Sequence, residues 1–326
     1  MLKKTDLFSI KSENDFNQKA LEVFQFQSEN CNVYKEFLSY LDFKKPTTIE
    51  EIPFLPISFF KSHKVITGND YYQNVFKSSG TSKQKRSQHF IKDIQLYKHS
   101  FFNSYQQFIG NPEDQIILAL LPNYIEQGDS SLVYMANELI NKTKNCLSGF
   151  ILNDINHILE SYSSSIKQNK KLVLLGVSYA LMDIAKEKLN LEKAIVIETG
   201  GMKGRRKEIT KEELHKKLTL GLNQKDIFSE YGMTELLSQA YSKSKQTFQS
   251  PRWMKIIIRD LNDPFKHLKK NRIGGINIID LANLNSCAFI ATEDLGKKVK
   301  NGFQVTGRIE RSEQRGCNLL MEDYFN

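Results

Sequence analysis

Phe228-Ser229-Glu230-Tyr231-Gly232-Met233-Thr234-Glu235 sets an aromatic ring, a glycine, a hydroxyl and two carboxylates behind a short apolar approach, Asp226-Ile227-Phe228. The octet reads as a strand running into a turn, where Gly232 allows a backbone conformation closed to other residues. Thr234 then offers a hydroxyl suited to a phosphate oxygen, and Glu235 a carboxylate suited to a hard cation. The same residues also read as a strand entering a helix that Thr234 caps. From the octet alone both readings stand.

Upstream, Gln115-Ile116-Ile117-Leu118-Ala119-Leu120-Leu121-Pro122, Lys171–Val177 and Ala194–Glu198 are short apolar runs. Amphipathic segments near 91–109, Ser130–Ile140 and Tyr179–Leu189 alternate with them. Short apolar strands alternating with helices predict an α/β fold with a mainly parallel sheet flanked by helices. The helix expected from about Thr210 to Leu222 carries Lys211, Lys216 and Lys217, which read as a solvated face. Residues 6–42 read as helices. Pro46, Pro53 and Pro56 break that pattern, so Ile52–Lys61 is extended or turning.

Downstream the character changes. Trp253–Arg259, Gly275–Ile279, Cys287–Thr292 and Gly302–Gly307 read as short strands of a small β-rich subdomain. The expected organisation is a single core, 1–326, with a helical lead-in (1–75), an α/β part (76–245) and the β-rich part with its tail (246–326).

Two loops carry further chemistry. In Ser78-Ser79-Gly80-Thr81-Ser82-Lys83-Gln84-Lys85 small hydroxyl residues surround a glycine and cations follow. Such a loop lets backbone N–H groups and hydroxyls approach a phosphate; it also reads as a polar surface turn. It is not the GxxxxGK[ST] loop, so that mechanism is excluded. Thr199-Gly200-Gly201 follows the strand ending at Glu198, where open α/β sheets tend to bind ligands.

Composition narrows the function classes. The chain has 326 residues with 40% hydrophobic and 25% charged, enough for a sizeable core. Its net charge of +9 suits a polyphosphate ligand. No basic module interleaved with aromatics is visible, so no nucleic-acid partner is expected. The four cysteines, Cys31, Cys146, Cys287 and Cys317, form no CxxC pair, which argues against zinc and a disulfide framework. With no apolar leader and no run of membrane-spanning length, the expectation is a cytoplasmic protein.

Ser78–Ser82, Tyr231–Glu235, Asp294-Leu295-Gly296 and Gly307-Arg308, in that order, resemble the adenylate-forming superfamily of acyl-CoA synthetases, peptide-synthetase adenylation domains and luciferases. Ile52–Lys61, Glu198–Gly201, Glu230–Ser242, Ile279–Leu284 and Arg315-Gly316-Cys317-Asn318 resemble more closely the acyl-protein synthetases, the ligase subunit of the bacterial bioluminescence fatty-acid reductase complex. The resemblance implies an adenylate-forming N-terminal core and ATP-dependent activation of a fatty or related carboxylic acid as acyl-adenylate. Transfer to a cysteine thiol follows, with CoA or a carrier protein in trans as the alternative acceptor.

By the same resemblance Ser78, Ser79, Gly80, Thr81, Ser82 and Lys85 would hold the β- and γ-phosphates. Gly200, Gly201 and Tyr231 would line the adenine site, with Glu230, Gly232 and Met233 completing the nucleotide-binding stretch. Thr234 would contact the α-phosphate, Glu235 would ligate Mg2+, Asp294 would accept from the ribose hydroxyls, and Arg308 would approach the ribose or phosphate. Cys317 would be the acyl acceptor, with Arg311 and Arg315 lowering its pKa, and a reductase or carrier protein would collect the acyl group. The other three cysteines read as structural. The acid would lie near Tyr124–Ser131 and Gly200. Lys83 and Gln84 stand where the family's loop has a second glycine, and Glu293 where it has a glycine before the ribose aspartate. No C-terminal lid domain is expected, so no lid lysine is assigned.

Overall fold

The computed structural model describes residues 4–79, 85–122, 128–200, 209–243 and 246–309. The chain divides into two compact units, one of 1–74, 87–93 and 249–326, the other of 75–86 and 94–248.

In the first unit the lead-in forms α1 (Glu13–Asn30), α2 (Asn32–Ser39), β1 (Leu55–Pro56) and α3 (Phe59–Ser62). The Ser12 side chain accepts from the Asp15 N–H and caps α1, satisfying one of the helix's orphan donors. Its apolar face (Phe16, Ala20, Val23, Phe24) is buried, and Phe24 meets the rings of Tyr34 and Phe289 at 6.0 Å each. The proline-rich stretch is extended: Leu55 and Pro56 pair in parallel with Ile290 and Ala291. Pro56 has no N–H to offer a ladder and sits in a two-residue strand at the sheet's edge. Along the chain come the short strands β2 (Asn74–Lys77), of which Val75–Lys77 belong to the second unit, and β3 (Gln88–Ile91) of the first.

The second unit is built on α4 (Ile94–Phe108), β4 (Gln115–Leu120), α5 (Ser131–Thr143), β5 (Gly149–Phe150), α6 (Ile155–Lys167), β6 (Lys171–Val177), α7 (Ser178–Ala185), β7 (Ile195–Thr199), α8 (Lys211–Leu222), β8 (Phe228–Tyr231) and β9 (Ala240–Ser242). Its sheet runs β5-β4-β6-β7-β8-β9, parallel as far as β8 and antiparallel at β9. Every residue of β4, and all of β6 but Lys171, is buried, as parallel strands covered on both faces require. Gln115, the polar member of β4, accepts at Oε1 from the Tyr105 hydroxyl at 2.7 Å. Strand order reverses between β4 and β6, so the switch point of the sheet opens beyond Leu120 and Val177.

The chain then completes the first unit with β10 (Met254–Arg259), β11 (Gly274–Asp280), β12 (Phe289–Val299) and β13 (Gly302–Arg308). These strands form an antiparallel sheet, with β1 added in parallel to β12. The stretch from Cys287 to Gly296 is longer than a short strand and a loop: β12 continues through Asp294.

Gln27, fully buried on α1, was not singled out in the sequence. Its amide donates to the carbonyls of Asn283 and Leu284 and accepts from the Ala288 N–H, each at 2.9 Å. Among the described residues no helix is long and apolar enough to cross a membrane. Gln27→Leu keeps the volume but strands three buried backbone groups, so urea denaturation should show a loss on the order of 3 kcal/mol; a loss below about 1 kcal/mol would show that α1 is not pinned this way.

Candidate functional site: the ends of β6, β7 and β8

The carboxyl ends of three neighbouring parallel strands carry most of the described residues picked out in the sequence. Glu198 and Thr199 end β7 and Glu230 and Tyr231 end β8, while Ser178, which the sequence did not mark, follows β6. The Ser178 hydroxyl lies 3.3 Å from Glu198 Oε2 and 3.2 Å from the Gly200 carbonyl oxygen, with one proton to share between them. Gly200 has φ +70°, a region side chains avoid, and a Cβ there would meet nothing within 4 Å among the described residues. Its backbone therefore demands glycine, and no described side chain fills the space beside it.

Glu198 is 1% exposed and Lys211 Nζ lies 2.5 Å from its Oε1, with His215 Nε2 at 3.5 Å. Burial pushes its carboxyl up, but Lys211, His215 and Ser229 together hold it below the ordinary value. Lys211 is thus not part of a solvated lysine face. It heads α8, which the Thr210 side chain caps by accepting from the Glu213 N–H, and turns onto a buried carboxylate.

Glu230, one strand over, is buried and paired within the protein. Its Oε2 accepts from Thr199 Oγ1, and a Cβ on Gly232 would sit 2.3 Å from its Oε1. The glycine leaves room for this close approach, whereas the sequence suggested an unusual backbone; Gly232 is not among the positive-φ residues. Burial pushes the Glu230 carboxyl up to about 7; the Thr199 hydrogen bond opposes this and the neighbouring Glu198 charge adds to it. The Tyr231 ring lies 5.7 Å from Phe248, and Lys211 Nζ stands 5.0 Å over the Phe248 ring.

After Tyr231 the chain turns instead of entering a helix. The Met233 carbonyl accepts from the Leu236 N–H at 3.1 Å, so Thr234 and Glu235 occupy the two central positions of a tight turn leading to β9. Thr234 is half-buried and Glu235 buried. The capped-helix reading of the octet is set aside.

At the hydroxyl loop Ser78 is half-buried and Ser79 and Lys85 are exposed; Gly80, Thr81 and Ser82 lie outside the described residues. Arg86, which no local pattern in the sequence marks, holds this loop's described ends. It donates to the Ser78 and Lys77 carbonyls and forms a fork on Asp129, at 2.7 Å and 3.2 Å. Lys77 stands 3.4 Å from the same carboxylate. Burial would raise the Asp129 carboxyl, but Arg86 and Lys77 hold it low. One guanidinium therefore ties both stems of the loop together.

Asp294 and Arg308 belong to the other unit, where they face each other across β12 and β13 with Nε 3.2 Å from Oδ1. Asp294 is buried while the Arg308 side chain is 58% exposed. Arg259, also missed in the sequence, donates to the carbonyls of Ile276 and Thr292 and to Asn277 Oδ1. Burial pushes its guanidinium down to about 10, and the Asp294 charge works against that. Gly201, Cys317, Arg311 and Arg315, and positions 123–127 of the expected acid site, lie outside the described residues.

The fold is that of the adenylate-forming ligases' N-terminal core. The chain is similar to ATP-bound MatB from Rhodopseudomonas palustris (TM-score 0.54, 16% identity, covering 72% of this chain and 47% of that one). It is also similar to 2-hydroxyisobutyryl-CoA ligase, both in an open conformation with 2-HIB-AMP and CoA (TM-score 0.66, 11% identity, 91% and 70% covered) and in the postadenylation state with 2-HIB-AMP (0.65, 12%, 91% and 68%). At these identities the likeness is one of fold, and the chain spans about half the length of MatB. Comparison with curated proteins gives no match. Over residues 6–326 the sequence matches the family of acyl-protein synthetases, LuxE, and the chain belongs to that family.

The folded protein holds the Glu230 proton more tightly than the unfolded chain does, so this group's contribution to stability is full below about pH 4.5 and is lost as pH rises through about 7. Denaturation between pH 5 and 8.5 should show that loss, on the order of 3 kcal/mol, in the wild type and not in Glu230→Gln. The same slope in both proteins would remove Glu230 as its source.

Proposed function

We propose that this protein is an AMP-forming ligase that activates a fatty or related carboxylic acid with ATP and passes the acyl group to a cysteine thiol. The observation that carries the reading is the open Gly200 beside the Tyr231–Glu235 turn, at the ends of paired strands, in a chain belonging to the acyl-protein synthetases. In the first step an oxygen of the acid's carboxylate attacks the α-phosphorus of ATP. The α–β bridging bond breaks, pyrophosphate leaves, and a mixed anhydride forms. In the second a thiolate attacks the acyl carbon, AMP leaves, and the thiol's proton goes to solvent.

Gly200 and Tyr231 would receive the adenine, Gly200 through its open side and Tyr231 through a ring braced by Phe248. Ser78, Ser79, Lys85 and their loop would hold the outer phosphates, with Arg86 fixing the loop's stems. Thr234 would donate to the α-phosphate from its turn. Mg2+ fits a site with the single carboxylate of Glu235, because the ion takes its other ligands from phosphate oxygens and water. Bound there, it would supply positive charge to the phosphoryl oxygens.

Cys317 is the proposed acceptor. The thiols of Cys31 and Cys287 are pushed up by burial, which suppresses the thiolate that transfer requires. Cys146 is exposed, so a structural reading does not suit it, and it is the internal competitor that mapping must distinguish.

Thr234→Ala and Glu235→Ala should each lower acid-dependent exchange of labelled pyrophosphate into ATP by about 100-fold, since both touch charge developing in the transition state. Exchange unchanged in either variant would make the turn a structural element. Cys317→Ser should keep the exchange but lose a hydroxylamine-labile acyl adduct mapped by mass spectrometry. An adduct persisting in that variant, or mapping to Cys146, would refute the acceptor assignment. Thioester appearing only on added CoA or carrier protein would place the acceptor in trans.

A further inference from the structure

Lys211 is the one cation that touches both sides of the candidate adenine site among the described residues. On one side its Nζ lies 2.5 Å from buried Glu198, whose other oxygen is 3.3 Å from Ser178 Oγ, which in turn is 3.2 Å from the Gly200 carbonyl oxygen. On the other side Nζ stands 5.0 Å over the Phe248 ring, and that ring packs 5.7 Å from Tyr231. An ammonium so placed is held by a charge it must neutralise and by a ring face that attracts it.

We propose that Lys211 is the positioning residue of the nucleotide site, tying the Glu198–Ser178–Gly200 side to the Phe248–Tyr231 side so that glycine and ring face an adenine in fixed register. The inference rests on the nucleotide-binding reading given above and deepens it, with Lys211 acting through Glu198 and Phe248.

Removing the ammonium frees both sides at once. Glu198 keeps His215 and Ser178 as partners but loses the counter-charge beside it, and Phe248 loses the cation that fixes its face. Arginine preserves the positive charge and the attraction to the ring. A purely structural lysine would be replaced by methionine with a change in unfolding midpoint and none in nucleotide affinity.

The test is equilibrium dialysis of the full chain against labelled ATP, which requires no knowledge of the acid. Lys211→Met should weaken ATP binding by about tenfold, a change equivalent to one step of the affinity scale, and Lys211→Arg should recover most of it. Ser178→Ala and Phe248→Leu each cut one side of the link and should each weaken binding several-fold; they carry the test if Lys211→Met does not fold. A folded Lys211→Met within about twofold of the wild type overturns the proposal, as do Ser178→Ala and Phe248→Leu both within that range. A wild type that binds no ATP refutes the nucleotide reading itself, a result distinct from either.

Discussion

A carboxylate buried at the end of a parallel strand has to find a cation, and at Glu198 that requirement organises the edge of the sheet. An ion taken out of water without a partner is so unfavourable that breaking a buried pair typically costs about 3–5 kcal/mol. Lys211 meets the requirement from the first turn of α8, so the helix that follows the glycine loop is anchored to the strand that precedes it. His215, one turn further along, contacts the same carboxylate and also lies 3.2 Å from Ser229 Oγ on β8. Glu198 is thereby connected to both neighbouring strand ends, through Ser178 toward β6 and through His215 toward β8.

The same economy of buried polar groups recurs away from that edge. Glu230 is kept uncharged over much of the acid range by burial, and Gly232 exists to make room for it. Arg86 closes the stems of the hydroxyl loop on Asp129. In the other unit Gln27 fixes α1 to the segment before β12, and Arg259 satisfies carbonyls of β11 and β12 next to Asp294. Thr234 and Glu235 follow Glu230, whose carboxylate is tied to Thr199 at the end of the neighbouring strand.

Much of this fold could be read from the chain because apolar runs and helix caps are local signals. β4, β6 and β7 were visible as uninterrupted apolar stretches, and Thr210 announced the start of α8. What stayed hidden depends on partners far away in sequence. Lys211 looks like Lys216 and Lys217 until the buried carboxylate beside it is known. Arg86 and Asp129 are 43 positions apart, and only the fold makes them a pair. α6 was not singled out because its run of serines dilutes the apolar pattern, and its buried face includes Ser161 and Ser165. The later half of β12 carries no apolar alternation, because its buried positions there are Thr292, Asp294 and Gly296 while Leu295 is half-exposed. At Gly232 the constraint is the close approach of the Glu230 carboxylate, which no local pattern reveals.

The central claim is that the acid's carboxylate attacks the α-phosphorus of ATP, and isotope tracing tests it most directly. A carboxylic acid labelled with heavy oxygen in its carboxylate, turned over by the full chain with ATP, should leave one labelled oxygen in the AMP released when the acyl group moves to a thiol. Label found in inorganic phosphate alongside ADP, or turnover that leaves AMP without label, would contradict the account.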